Sequence, residues 1–254
     1  MKRVPYREAI GSLNYCAVAT RPDISFSVSL LAQFMEDPGR VHWEAVKQVF
    51  RYLLGTKNWK LVYGTTETGL EGYTDADGSS QEHRHAISRY AFLVNGGTIS
   101  WSSRKQELVT LSTAESEYVA ATNPAKEALW LRRIINEIFQ PLDKPITLYS
   151  DSQSAIALTK DGSYHARTKH IDIRYHFIRF AVQNGSIKLI YCPTDEMTAD
   201  ILTKALPNIK VKHFAIHSDY ARLEGGVLDS QDLRVSSKCR WSDSEGEMGD
   251  RTDP

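Results

Sequence analysis

The chain reads as an α/β fold: a mixed sheet flanked by helices and preceded by a small helical segment. Three observations predict it. Apolar residues recur at helical spacing through residues 6–55. From residue 58 the period changes to two, in short runs closed by turn residues. A β run at 145–151 then follows one helix and feeds another, the order expected of a crossover onto an earlier parallel strand.

Composition bounds what such a fold can do. The 254 residues are 41% apolar and 24% charged, with 31 Lys and Arg against 31 Asp and Glu, so net charge names no partner. The distribution says more. Residues 1–57 hold eight basic against five acidic side chains and residues 160–190 six against two, whereas the last thirty hold four against seven. A body that is basic in places suits a polyanionic ligand. Cys16, Cys192 and Cys239 make no Cys-x-x-Cys pair. That argues against a finger-type zinc site and a disulfide framework, and for a reducing compartment. No apolar run reaches the ~18–20 residues of a membrane span. Met1 to Pro5 lacks the apolar core of a signal peptide.

In order, residues 6–19 carry Ile10, Leu13, Cys16 and Ala17 on one helical face. Residues 20–23 stop and restart the chain, with Pro22 suited to a first turn. Helices follow over 24–34 and 41–54, the latter closed by Gly55. On that third helix Val46, Val49, Phe50 and Leu53 are expected inside. Lys47 and Arg51, four apart, share another face that is either solvated or set against a phosphate chain.

Strands are expected over 59–63, 70–75, 90–94 and 98–102, with Asn95-Gly96-Gly97 as a hairpin turn. Residues 79–88 read as a polar loop. Its His83/His85 pair lacks a third ligand and reads as solvated. Ser112-Thr113-Ala114-Glu115 opens a helix with a capping box, which gives Glu115 a structural task. Glu117 instead shares a face with Ala114, Tyr118 and Ala121, a face that points inward. A carboxylate there needs a metal ion or a cationic partner. Asn123-Pro124 should kink that helix or start a new one.

The run at 145–151 ends in Asp151 as the run at 70–75 ends in Asp75. If the two strands are parallel neighbours, these carboxylates stand side by side at the edge where α/β sheets bind ligands. A short helix follows over 152–159. Residues 164–183 form a basic helix with Ile171, Tyr175, Ile178 and Val182 buried. A strand follows over 186–191, and Asp200 lies in the first turn of a terminal helix, where helix-dipole reasons alone would suit it. Asp75, Glu117, Asp151 and Asp200 could not all ionise together without cations between them. Hard divalent ions, Mg²⁺ foremost, are the natural solution. Two such ions about 4 Å apart are the arrangement that hydrolyses phosphodiesters.

Several runs resemble one family in order and spacing. Tyr73-Thr74-Asp75, Ser112 to Tyr118, Ser150-Asp151-Ser152-Gln153-Ser154-Ala155 and Ala199-Asp200-Ile201-Leu202-Thr203-Lys204 are similar to the ribonuclease H domain of copia-type retrotransposon Pol polyproteins. So are Ile99 to Gln106 and Lys169 to His176. Tyr6 to Leu13 and Ala19 to Ile24 resemble the end of the reverse transcriptase of the same elements.

The resemblance implies a five-stranded ribonuclease H-like sheet over residues 58–217, with its core at 69–206. Residues 1–57 would be a helical, thumb- or connection-like remnant of the reverse transcriptase, and 218–254 a disordered acidic tail. It implies Asp75, Glu117, Asp151 and Asp200 as catalytic metal ligands, with Asp77 in reserve for Asp75. The cofactor would be two Mg²⁺ ions, with Mn²⁺ as a substitute. The substrate would be the RNA strand of an RNA–DNA hybrid, cut to a 3′-hydroxyl and a 5′-phosphate. Arg104, Lys105, Lys169, His170, Arg174, Lys47 and Arg51 would meet the nucleic acid. The upstream reverse transcriptase is the implied protein partner. The implied location is cytoplasmic, in a virus-like particle, and also nuclear, without secretion or a membrane.

The chain also departs from the pattern. The polymerase aspartates are absent, so DNA synthesis is not expected. Arg89 stands where a small residue is usual and Phe180 where an acidic one is common, while Pro124 interrupts a helix that is normally continuous. No histidine lies between Ser186 and Asp200 to protonate the leaving group. These departures keep open a second reading, a catalytically silent fragment that at most binds nucleic acid. An integrase of the same fold is a third, weakened by its three-carboxylate set.

Overall fold

The computed structural model describes residues 4–61, 63, 69–77, 85–110, 112–139, 141–160, 176–193 and 197. Helix α1 (Tyr6–Ala19) buries Tyr6, Ile10, Leu13 and Ala17, one stripe at spacings of three and four. A 3₁₀ turn at Pro22–Ile24 leads into α2 (Ser25–Ala32), and α3 (Arg40–Gly55) follows. The three helices share one core of Leu13, Ile24, Val28, Val46 and their neighbours.

Polar groups lock this core. The Tyr6 hydroxyl donates to the Leu31 carbonyl at 2.8 Å. Arg21 pairs with Asp23 at 2.7 Å and donates to the Thr56 carbonyl at 3.3 Å, joining the turn to the end of α3. The Tyr52 hydroxyl donates to Asp23 at 2.8 Å. Burial first, and then the Asp23 charge, push the Tyr52 phenol well above its ordinary range.

Two expectations fail in this region. Phe50 is 41% exposed, and Tyr52 is buried in its place. Positions 46, 49 and 52 form the inner stripe, and Tyr52 can sit there because Asp23 accepts its hydroxyl. No strand forms at 59–61. Trp59 packs instead edge-on to Tyr52, ring centroids 6.1 Å apart, and closes the helical core. The aromatic alternation there belongs to a tether, not to a ladder.

Among the described residues a five-stranded sheet has the order β3-β2-β1-β4-β5. Its strands are β1 (Glu71–Asp77), β2 (Ile87–Val94), β3 (Gly97–Lys105), β4 (Ile146–Ser150) and β5 (Ile187–Tyr191). The first three pair antiparallel, whereas β1–β4 and β4–β5 pair parallel. Asn95 (φ 50°) and Gly96 (φ 83°) turn β2 into β3, the positive-φ pair that a tight hairpin needs. The central strand requires glycine at position 72. A Cβ there would overlap the Phe92 ring and come within 2.9 Å of Leu148.

Helices α4 (Thr113–Ala120), α5 (Thr122–Ile138), α6 (Gln153–Lys160) and α7 (Phe177–Gln183) complete the described elements. The Ser112 hydroxyl caps α4, accepting from the Glu115 amide at 3.3 Å. Pro124 lies in the first turn of α5, where a missing N–H costs nothing. It therefore marks a new helix and not a kink. The main core joins Phe92, Tyr118, Leu148, Ile178 and Ile187 from sheet and helices.

On the other face, around Ala91 and Leu93, Trp101 donates its indole N–H to the Ala17 carbonyl at 2.8 Å, joining α1 to β3. Cys16 and Cys192 are not joined in a disulfide, and the Cys192 thiol donates to the Pro193 carbonyl at 3.6 Å. No described helix is long and apolar enough to cross a membrane. Residue 62 of the expected 59–63 strand, residues 64–68 between it and the next, much of the 79–88 loop, residues 164–175 of the basic helix, the terminal helix and the tail lie outside the described residues.

Candidate active site

The site is built where β1 and β4 end. Tyr73 is level with Tyr149 in the parallel register, so two residues further on Asp75 comes level with Asp151. The Tyr73 and Tyr149 rings stack two residues behind the aspartates, centroids 4.9 Å apart, and help hold the two strand ends side by side. Asp151 follows β4 directly, before the turn into α6.

Glu117 comes from α4. Its neighbours Tyr118 and Ala121 are fully buried, as the face argument requires. One oxygen from each of Asp75, Glu117 and Asp151 lies within 4.8 Å of the other two. Glu115 is the more buried of the two α4 carboxylates, at 6% exposed, but it is not in this cluster. Asp75 is buried and the other two are half-buried, so one side of the cluster meets solvent.

Three hard oxygen donors at that separation suit a divalent cation. Like charges so close disfavour joint ionisation unless a positive charge is near. The structure provides one on the protein itself. Arg89, on β2, is the cross-strand partner of Asp75. Its Nη1 lies 3.4 Å from Asp75 Oδ2, and both side chains are out of water, at 0% and 3% exposed. The guanidinium also sits over the Phe26 ring from α2, 5.3 Å from its centroid. Sequence reasoning marked Arg89 as a departure but missed this contact. The available signal was a lone full charge in the otherwise neutral run Ile87–Val94.

Behind Glu117, the Tyr118 hydroxyl and His176 Nδ1 are 2.9 Å apart, linking α4 to the start of α7. Burial, and secondarily the nearby Arg179 charge, hold the His176 imidazole below its ordinary range.

The other candidates fall in different places. Arg104 and Lys105 are exposed at the end of β3. Arg51 is exposed on α3, and Lys47 is held by Glu44 of its own helix at 2.7 Å. None of these four belongs to the acidic cluster. Asp77 ends β1, paired through its backbone with Ile87, and its side chain is outside the described set. Asp200, Lys169, His170 and Arg174 also lie outside the described residues.

No protein-family model matches the chain. Whole-sequence comparison does find relatives. The chain is 48% identical over 211 residues to the retrovirus-related Pol polyprotein from transposon TNT 1-94 of Nicotiana tabacum, covering 83% of this chain and 16% of that protein. It is 38% identical over 213 residues to the Pol polyprotein from transposon RE1 of Arabidopsis thaliana, covering 83% and 14%. The chain thus spans about a sixth of the length of these two relatives. Among solved structures it resembles the foamy viral protease–reverse transcriptase in complex with RNA/DNA hybrid, with a TM-score of 0.48 and 15% identity. That likeness covers 88% of this chain and 26% of that one. By these sequence relationships, and with a ribonuclease H-like sheet as its central architecture, the chain is homologous to a segment of the retrovirus-related Pol polyproteins of plant transposons.

Proposed function

We propose that this chain is a Mg²⁺-dependent endonuclease that hydrolyses the RNA strand of RNA–DNA hybrids. The observation that carries the reading is the convergence of Asp75, Glu117 and Asp151 from three separate elements. Asp75 is held in β1 and Asp151 directly follows its parallel neighbour β4, while Glu117 is set by the buried neighbours on its helix. Such preorganised carboxylates need no rearrangement to hold cations. Asp75, Glu117 and Asp151 would hold the divalent ions, whose chemistry there would be to activate a water and to neutralise charge on the leaving oxygen. Glu117 and Asp151 are half-buried, and a phosphodiester would approach the cluster from their side. Asp200 is the fourth ligand in this reading.

Residues 1–57 serve as the reverse-transcriptase remnant, docked through Trp101 and Ala17 onto the ribonuclease unit. Arg104 and Lys105 contact the hybrid's backbone, and the upstream polymerase is the natural protein partner. The corresponding location is the cytoplasm, within a particle, and the nucleus.

A second reading, a silent fragment, is favoured by one feature: Arg89 against Asp75. Incubating a labelled hybrid with the purified chain and Mg²⁺, beside Asp151→Asn, separates the two. Metal-dependent cleavage that the variant lacks supports the enzyme. Equal outcomes for both proteins sink it.

A further inference from the structure

We propose that Arg89 is a resident cation of the acidic cluster and sets how tightly the site takes a divalent ion. The inference rests on the metal-holding reading above and concerns a residue that reading does not require. Arg89 enters from β2, directly across from Asp75, and its guanidinium occupies the space beside Asp75 Oδ2 at 3.4 Å. Phe26 lies against the guanidinium, with its ring centroid 5.3 Å away. With 0% of the side chain exposed, water cannot swing the charge aside or screen it well.

A divalent ion bound through Asp75 therefore meets a fixed positive charge a few ångströms away. Each weakens the other's hold on the same carboxylate. In the apo site the guanidinium offsets one of three clustered carboxylate charges, and a metal must share Asp75 with it or displace it. Removing the positive charge while keeping side-chain bulk should strengthen metal binding.

The test uses the full chain and Mn²⁺ alone, followed by titration calorimetry. Arg89→Gln is expected to bind about tenfold more tightly than the unmodified protein, from the loss of one nearby like charge. Arg89→Lys keeps the charge and should stay close to the unmodified protein. Equal or weaker binding by Arg89→Gln overturns the proposal. A second measurement needs no variant. In the unmodified chain, saturating Mg²⁺ should shift the Arg89 side-chain N–H resonance, and an unmoved resonance at saturation overturns the proposal as well. The two levels of the argument fail differently. Absence of Mn²⁺ binding in every form overturns the metal reading and this inference together. Equal binding by the unmodified chain and Arg89→Gln overturns this inference alone.

Discussion

Asp75→Asn and Asp151→Asn remove one charge each from the same cluster, yet the structure assigns them different effects on stability. Asp75 faces Arg89 at 3.4 Å with both side chains out of water. At an effective dielectric constant near 20 that separation corresponds to about 5 kcal/mol of attraction. Breaking a buried pair from one side typically costs ~3–5 kcal/mol, because the remaining charge stays desolvated. Asparagine keeps an oxygen for the guanidinium, and one less carboxylate relieves repulsion from Glu117 and Asp151. Both corrections lower the expected loss to about 3 kcal/mol.

Asp151 is half-buried and not part of that pair. Its substitution should change stability by less than ~1 kcal/mol. Urea unfolding in chelator, followed by far-UV circular dichroism, reads both. The Asp75→Asn midpoint should fall by about 1–3 M at unchanged slope, given slopes of ~1–3 kcal/mol/M. The double variant Asp75→Asn/Arg89→Gln should recover part of the loss, giving a coupling of about 1–3 kcal/mol. If Asp75→Asn is as mild as Asp151→Asn, the buried pair does not hold the site together and the reasoning fails.

Further outcomes follow from other residues. Gly72→Ala should destabilise by ~1–3 kcal/mol through overpacking against Phe92 and Leu148, and adding Phe92→Leu should restore part of it in the same unfolding assay. Ser112→Ala removes the cap of α4 and should cost about 1 kcal/mol, read as a lower thermal midpoint. His176 should titrate below about 6.5 by NMR. Because its folded-state pKa is depressed, the unfolded chain binds more protons there. Stability should therefore fall as pH drops from about 6.5 through the folded-state midpoint, and His176→Gln should flatten that part of the profile.

Much of this architecture was readable in advance because its signals are local. Ile10, Leu13 and Ala17 mark α1 by spacing alone, and Asn95-Gly96 can do little but turn a hairpin. The parallel pairing of β1 and β4 followed from chain order, since a strand after a helix can rejoin the sheet beside an earlier strand. Glu117 was separable from Glu115 because its helical face carries Tyr118 and Ala121. What escaped depended on distant partners. Tyr52 is inside only because Asp23, 29 residues earlier, accepts its hydroxyl. Trp59 looked like strand because its alternation is real, but its ring belongs to the helical core. Arg89 was visible as an oddity, but its contact with Asp75 depends on the β1–β2 register, which no short motif encodes.

The central claim is that the carboxylates meeting at the ends of β1 and β4 hold divalent ions that cut RNA paired with DNA. The most direct measurement is cleavage of RNA labelled at one end, offered to the full chain as an RNA–DNA hybrid, as single-stranded RNA and beside a DNA duplex. Each is run with Mg²⁺, with chelator and with Asp151→Asn. The account predicts cuts only in the RNA of the hybrid, only with the metal, and slowed about a hundredfold or more in Asp151→Asn, the scale of losing one group that stabilises transition-state charge. Cleavage that survives chelation, that ignores Asp151, or that falls equally on the DNA duplex would contradict it.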